Sequence, residues 1–468
     1  MEEAKTLKEQ LLFKKKTAYE VMTEEAKKEM EEYSKEYMWY IDHSKTEREA
    51  VRSGIALFEK KGFVPYSMGD KIEKGGKYYF NNRGKALYAF RIGSESLEEG
   101  IRISAAHIDS PRLDLKPNPL YEEADIGYFK THYYGGIKKY QWTTIPLAIH
   151  GVVVKKDGTK VEITVGEEES DPIFYISDLL PHLAKDQVNK TLGEGIPGEK
   201  LNVIIGSTPY DQSADGGVKL HMMQILNEKY GIVEEDFLSA ELEVVPAGAA
   251  RDFGLDRSMI IGYGHDDRVC AYASVNAILS IDETPEYTCC CLLADKEEIG
   301  SVGATGMYGK YFENAVAELV NATGEYSDLL VRRALTACRM LSCDVSAGYD
   351  PNFAGVFERK NAAYLGRGVC FNKYTGSGGK GGSNDANAEY MGKLRRLMDD
   401  ANVNFQTAEL GKVDQGGGGT IAYICANYGM EVIDSGVAVL NMHAPYEISS
   451  KADVYEAGKG YKAFLLYA

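Results

Sequence analysis

The chain contains no apolar run approaching the roughly 20 residues that a helical membrane span needs. Its first twenty residues, MEEAKTLKEQLLFKKKTAYE, are charged where a signal peptide carries an apolar core. Both absences make a cytoplasmic protein, with no membrane partner, the expectation. Basic residues are in deficit: 53 Lys and Arg stand against 70 Asp and Glu, a formal charge of −17. The extended basic footprint of a nucleic-acid-binding surface is therefore missing. Cysteine pairs of the CxxC type are missing as well. All eight cysteines lie at or beyond Cys270, three of them consecutive at Cys289, Cys290 and Cys291 inside an apolar run. That pattern favours buried, reduced thiols over a zinc ribbon or a disulfide framework. Two glycine-rich stretches, TGSGGKGGSNDAN (375–387) and GGGG (416–419), lack the GxxxxGK[ST] phosphate signature, because Lys380 is followed by Gly381. They read as loops that bring backbone close to a ligand. No repeat of 20–50 residues is present.

What remains is an ordinary globular composition, 44% hydrophobic and 26% charged, over 468 residues. That length suits two domains, or one large domain with an insertion. Residues 1 to about 62 read as two or three charged helices, the last (TEREAVRSGIALFEKKGFVPY) stopping at Gly62. KYYFNNRGKALYAFRIG and GIRISAAHID read as strands. From Pro117 to about residue 249 the texture changes to short β-like runs such as LAIHGVVVKKDGTKVEITV. Beyond it strands alternate with helices again: SMIIGYGHDDRVCAYASVNAILSI, YTCCCLLA, DLLVRRALTACRM, MLSCDVSAG and GVAVLNMHAPYE. The expected fold class is α/β, a mixed sheet flanked by helices, with an inserted mostly β domain. The expected division is 1–115, 116–249 and 250–468.

Candidate chemistry gathers at the ends of those strands, where α/β sheets place their sites. His107 and Asp109 in SAAHIDSP are two apart at a strand end, so a carboxylate could hold an imidazole whose other nitrogen faces a metal. Asp266 sits at a turn into a helix, where the bland reading is an N-cap. Asp344 ends an apolar strand, where an unpaired charge is costly. His443 follows another apolar strand; alone, it reads equally well as a satisfied interior histidine. Glu297 and Glu298 stand side by side in LLADKEEIGSVGATGM, a repulsion that is screened in a solvated loop and relieved by a buried cation. Two histidines and three carboxylates suit zinc, manganese or cobalt. A dinuclear hydrolase needs that inventory: an imidazole and a terminal carboxylate for each ion, one bridging carboxylate, and a spare glutamate to take a proton from water.

At these residues the chain resembles the M18 family of metallo-aminopeptidases (the aspartyl aminopeptidase family) and, more distantly, the M42 peptidases. HIDSPRLDLKP, YGG, DKEEIGSVGATG, SCDVSAGYDPN and MHAPYEI occur in the family's order, although HDDRV looks closer to its M42 counterpart. The resemblance implies two divalent metal ions per subunit, zinc foremost. One would be held by His107, Asp266 and Asp344, the other by His443, Glu298 and the same Asp266. It implies Glu297 as general base and Asp109 as the partner of His107. It places a substrate contact from a neighbouring subunit on His182 in ISDLLPHLAKD, rather than on His150 in PLAIHG. Gly418 and Gly419 would bring backbone N–H groups to the substrate. It further implies peptide substrates, dimers through the inserted segment, and assembly of those dimers into a dodecamer. Where many members read D-M-A-H-A-V-H-P, this chain reads D-V-S-A-G-Y-D-P, with Ala347 and Asp350 at the histidine positions; the family's lysine falls near Phe371 or Lys373. Acidic, neutral and broader preferences for the first residue thus stay open. The alternatives are another co-catalytic zinc hydrolase, a carboxypeptidase or deacylase, and a metal-free scaffold that keeps the fold.

Overall fold

The run CCCLLA forms a strand, Cys289–Ala294, whose side chains alternate between two cores. Cys289, Cys291 and Leu293 enter one; Cys290, Leu292 and Ala294 enter the other. The same alternation in Met340–Leu341 and Val432–Ile433 makes the sheet a wall with helices on both faces. One face is covered by His265–Leu279, Lys451–Tyr467 and Glu24–Asp42, the other by Tyr311–Ala322, Asp328–Ala337 and Ala422–Ala426. Each fully buried Leu or Val contributes roughly 1.5–3 kcal/mol relative to exposure, and both faces are dense with them. The structure, a computed structural model, describes residues 2–13, 16–211, 216–324, 326–376 and 378–468.

Among the described residues the strands form three sheets. The nine-stranded one runs Val64–Pro65, Lys77–Asn82, Ala86–Arg91, Cys289–Ala294, Arg102–His107, Arg339–Cys343, Glu431–Gly436, Val369–Asn372 and Phe405–Thr407. Its central strands, from Cys289–Ala294 to Glu431–Gly436, are parallel, with Ala294 opposite His107. Their carboxyl ends therefore share one edge, where His107, the loop after Ala294, and Asp344 emerge. A five-stranded sheet (Arg251–Phe253, Met259–Gly262, Glu447–Ser450, Ala438–Leu440, Ser346–Ala347) closes over that edge and pairs Gly262 with Glu447.

The β-like texture of the middle segment corresponds to a six-stranded antiparallel sheet: Lys160–Val165, Leu147–Val154, Ala240–Pro246, Arg112–Glu123, Ile126–Tyr134 and Val203–Gly206. Its strand Arg112–Glu123 runs through residue 116, with a register shift between Leu115 and Leu120 where Pro117 and Pro119 interrupt pairing. The segment also holds a 14-residue helix, Gly217–Tyr230, that no apolar periodicity announces. His150, on the Leu147–Val154 strand, is held between Glu49 (2.8 Å) and Glu167 (2.9 Å), while Lys45 reaches Glu167 at 2.6 Å. This buried cluster fastens the six-stranded sheet to the N-terminal helices and accounts for His150 without any catalytic role.

Candidate metal centre

Five side chains, each from a separate stretch of chain, converge at the shared edge. Asp266 lies at their middle. Its Oδ1 is 3.2 Å from His107 Nε2, and its Oδ2 is 3.3 Å from His443 Nε2. Asp344 Oδ1 stands 3.9 Å from His107 Nε2, and Glu298 Oε2 3.5 Å from His443 Nε2. Two ligand-like triplets result, His107–Asp266–Asp344 and Asp266–Glu298–His443, with Asp266 common to both and the donor atoms of each triplet within 4.8 Å of one another. A third grouping, His107–Glu297–Glu298, meets the same spacing.

Local structure explains why each side chain faces inward. Asp266 is not the N-cap: Gly264 holds that place at φ 77°, and Asp266 departs from helical geometry at φ −83° and ψ 103°. Glu297 and Glu298 lie in a tight turn just past the end of the strand Cys289–Ala294. Lys296 takes a left-handed conformation at φ 68°, and Glu297–Ile299 form a 3-10 turn behind it. Asp295, fully buried, closes this loop by accepting from Thr305 Oγ1 at 2.5 Å and pairing with Lys296 at 3.1 Å. The acidic cluster thus divides into one internal fastener and two carboxylates that face the site. His443 is also left-handed, at φ 66°, and its Nδ1 donates to the Gly136 carbonyl at 2.8 Å.

Asp109 is a hub rather than a simple partner of one imidazole. Its Oδ1 lies 3.5 Å from His107 Nδ1, although that nitrogen is nearer the Asp109 carbonyl, at 3.0 Å. The carboxylate also accepts the backbone N–H of Glu297 (3.1 Å) and of Glu298 (3.2 Å).

Several contributors have no role assigned from the sequence, although they lie within its YGG and MHAPYEI blocks. Glu447, 1% exposed, accepts the backbone N–H of Asp266 at 2.9 Å and that of His443 at 2.7 Å. It fixes the two central donors from behind, and burial pushes its pKa up to about 8. Glu447→Ala would leave two buried N–H groups unpaired, at about 1–3 kcal/mol each, and is expected to weaken metal affinity about 10–100-fold. Thermal melting and competitive chelation measure the two effects; a variant matching the parent in both would refute the role. Gly135, at φ 74°, would place a Cβ 3.4 Å from Glu298 Oε2, and Gly136 would place one 3.3 Å from His443 Nδ1. Side chains there would crowd the carboxylate and imidazole that face the site.

The charge balance fits a cation. Asp266 Oδ1 and Glu298 Oε1 are buried with no hydrogen-bond partner among the described residues, an arrangement that native interiors rarely tolerate without an ion or water. Burial pushes Asp344 and Glu298 well above the usual carboxylate range, and pushes Glu297 up to about 7, with His107 opposing and Asp109 and Asp266 reinforcing. Burial would lower His443, yet its bond to Asp266 and the charge of Glu298 carry it up to about 10. Carboxylates this crowded ionise together only beside concentrated positive charge. Two imidazoles and three carboxylates are a donor set that suits zinc.

The remaining sequence candidates belong to none of these groupings. His182 is exposed in the short turn Pro181–Leu183, with exposed Leu179, Leu180 and Leu183 beside it in the chain. Gly418 donates to the Thr375 carbonyl at 3.4 Å, and Gly419 lies against Tyr423, whose hydroxyl bonds Tyr308 on the loop following Glu298. Asp350 caps the turn Pro351–Val356 by accepting the Asn352 N–H at 2.8 Å. Lys373 is paired with Asp385 at 2.8 Å, and Lys380 with the same carboxylate at 3.0 Å. Ser377, in the 375–387 stretch, is outside the described residues.

With this geometry in place, comparison with known proteins gives a consistent result. The family profile described as "Aminopeptidase I zinc metalloprotease (M18)" matches residues 40–465. A Clostridium acetobutylicum protein named "Probable M18 family aminopeptidase 1" is 56% identical over 460 residues, 97% of this chain and 99% of that protein. The crystal structure of an M18-family aminopeptidase from Thermotoga maritima aligns with TM-score 0.94 at 44% identity, over 98% of this chain and 100% of that one. A structure described as the S. cerevisiae mApe1 dodecamer has the same fold, at TM-score 0.76 and 22% identity, over 92% of this chain and 96% of that one.

Proposed function

The chain belongs to the M18 family of zinc metallo-aminopeptidases, and from that premise we propose a two-metal hydrolase that removes the N-terminal residue of peptides with Glu297 as general base. The observation that carries this reading is the division of Asp266, one carboxylate oxygen toward His107 and the other toward His443. Asp344 would complete the first ion's ligands and Glu298 the second's. Bound there, divalent zinc supplies a Lewis acid for the scissile carbonyl and acidifies water at neutral pH.

The chain's own residues do the rest. Glu297 accepts the proton of the attacking water, and later delivers it to the leaving amine, so one residue serves as base and then acid. Burial raises the Glu297 carboxyl from the usual carboxylate range, the direction that a group serving as base and then acid requires. Asp109 fixes the backbone of Glu297 and Glu298 and stands beside the His107 ring. The substrate's free α-amino group would sit against the acidic cluster.

The division 1–115, 116–249 and 250–468, with the middle segment as dimerisation face, belongs to the same proposal. So does assembly of dimers into a dodecamer, the state in which the yeast protein is described. Exposed Leu180 (50%) and Leu183 (67%), which flank His182 in the chain, support burial against a second copy, where His182 would meet the neighbour's substrate. Among the described residues no helix is long and apolar enough to cross a membrane. All eight cysteines are buried and outside any disulfide, which supports a cytoplasmic setting.

For the first residue we propose a neutral or broad preference over an acidic one, because Lys373 is already engaged by Asp385. A panel of aminoacyl anilides tests the proposal. Leucyl and alanyl anilides should be cut at least as fast as aspartyl and glutamyl ones, and N-acetylated versions should remain intact. Preferential cleavage of aspartyl anilide would overturn the preference. Cleavage of the N-acetylated compounds would overturn the aminopeptidase reading in favour of a deacylase.

A further inference from the structure

One strand of the six-stranded sheet ends at the metal centre. Ile126–Tyr134 finishes at Tyr134, and the next two residues are Gly135, against Glu298, and Gly136, whose carbonyl accepts from His443. The Tyr134 hydroxyl donates to Asp109 Oδ2 at 2.7 Å. That oxygen already accepts the Glu298 N–H, while Oδ1 accepts the Glu297 N–H. We infer that Tyr134 is a positioning residue for the hydrolytic step: its hydroxyl locks the Asp109 carboxylate, and through it the backbone of Glu297. The inference rests on the role of Glu297 given above.

The supporting structure is built for rigidity. Tyr134 faces Arg112 across the strand pair, and the guanidinium lies 3.9 Å over its ring. Arg112 is in turn held by Glu243 at 3.2 Å and Glu47 at 3.3 Å, and Lys85 meets Glu47 at 2.9 Å. Arg112, Glu47 and Glu243 are all buried. The phenol is thus clamped at its face while its hydroxyl points at Asp109. Where base placement decides the rate, loosening a hydrogen bond to a charged acceptor is expected to cost about 10- to 100-fold.

The test is Tyr134→Phe, which keeps the ring and its contact with Arg112 and removes only the hydroxyl. In the zinc-loaded protein kcat should fall about 10- to 100-fold, with KM within about twofold and metal content equal to the parent. An unchanged kcat overturns the inference. So does a loss of activity that tracks loss of zinc, or one confined to KM, because each would place the hydroxyl's effect on metal retention or substrate binding. Should Tyr134→Phe yield no folded protein, Asp109→Asn reads the same link, since an amide cannot accept at both positions; kcat must again fall at constant KM, and parental kcat overturns the inference. Glu297→Gln measured alongside separates the two claims. If it keeps parental turnover, the general-base reading fails first; if it is inactive while Tyr134→Phe is normal, only the positioning role fails.

Discussion

Glu297→Gln is expected to lower kcat by roughly 10³-fold or more, within the range that general acid–base groups command, while zinc content and KM stay near parental values. The substitution keeps size and hydrogen-bonding capacity but removes proton acceptance. Glu297 is half-buried, beside but not within the two triplets that share Asp266. The competing grouping, His107–Glu297–Glu298, would make Glu297 a ligand. In that case the variant would lose metal together with activity. Elemental analysis of the same preparation used for kinetics therefore decides between base and ligand, and parental turnover in a zinc-replete variant would refute both.

The second large effect is expected at Asp266. Asp266→Ala removes the oxygen facing His107 and the oxygen facing His443 at once. Zinc affinity should drop by more than the roughly 10–100-fold typical of outer hydrogen-bond partners, with both ions affected and hydrolysis falling to background. Asp344→Ala touches only one triplet, so it should weaken one ion and spare the other. Titration with a chromophoric chelator resolves the difference as one released class against two. Equal metal loss in the two variants would contradict the shared role of Asp266.

How much of the molecule is legible in the sequence depends on what each residue does. The strand CCCLLA is readable because a buried central strand leaves a continuous apolar run. The convergence of His107, Asp266, Glu298, Asp344 and His443 can be expected because an ionisable group at the end of such a run is costly to bury unless a cation or a partner compensates it. Glu447 cannot: a carboxylate whose task is to accept two backbone N–H groups has no spacing signature, and in PYEI it reads as an ordinary strand residue. The reach of Tyr134 into the site is hidden for a related reason, since it depends on the register pairing Arg112 with Tyr134 across separate strands. The turn at Glu297–Ile299 is concealed because a lysine, Lys296, adopts the left-handed conformation that glycine or asparagine normally announces. Gly217–Tyr230 leaves no signal because its apolar residues are spread around the helix instead of along one face.

Anomalous X-ray diffraction at the zinc edge, on crystals of the zinc-loaded protein, tests the central claim most directly. Two peaks per chain are expected, one among His107, Asp266 and Asp344 and one among Asp266, Glu298 and His443, with the Glu297 carboxylate bound to neither. A single peak, peaks away from Asp266, or a zinc contact to Glu297 would contradict it.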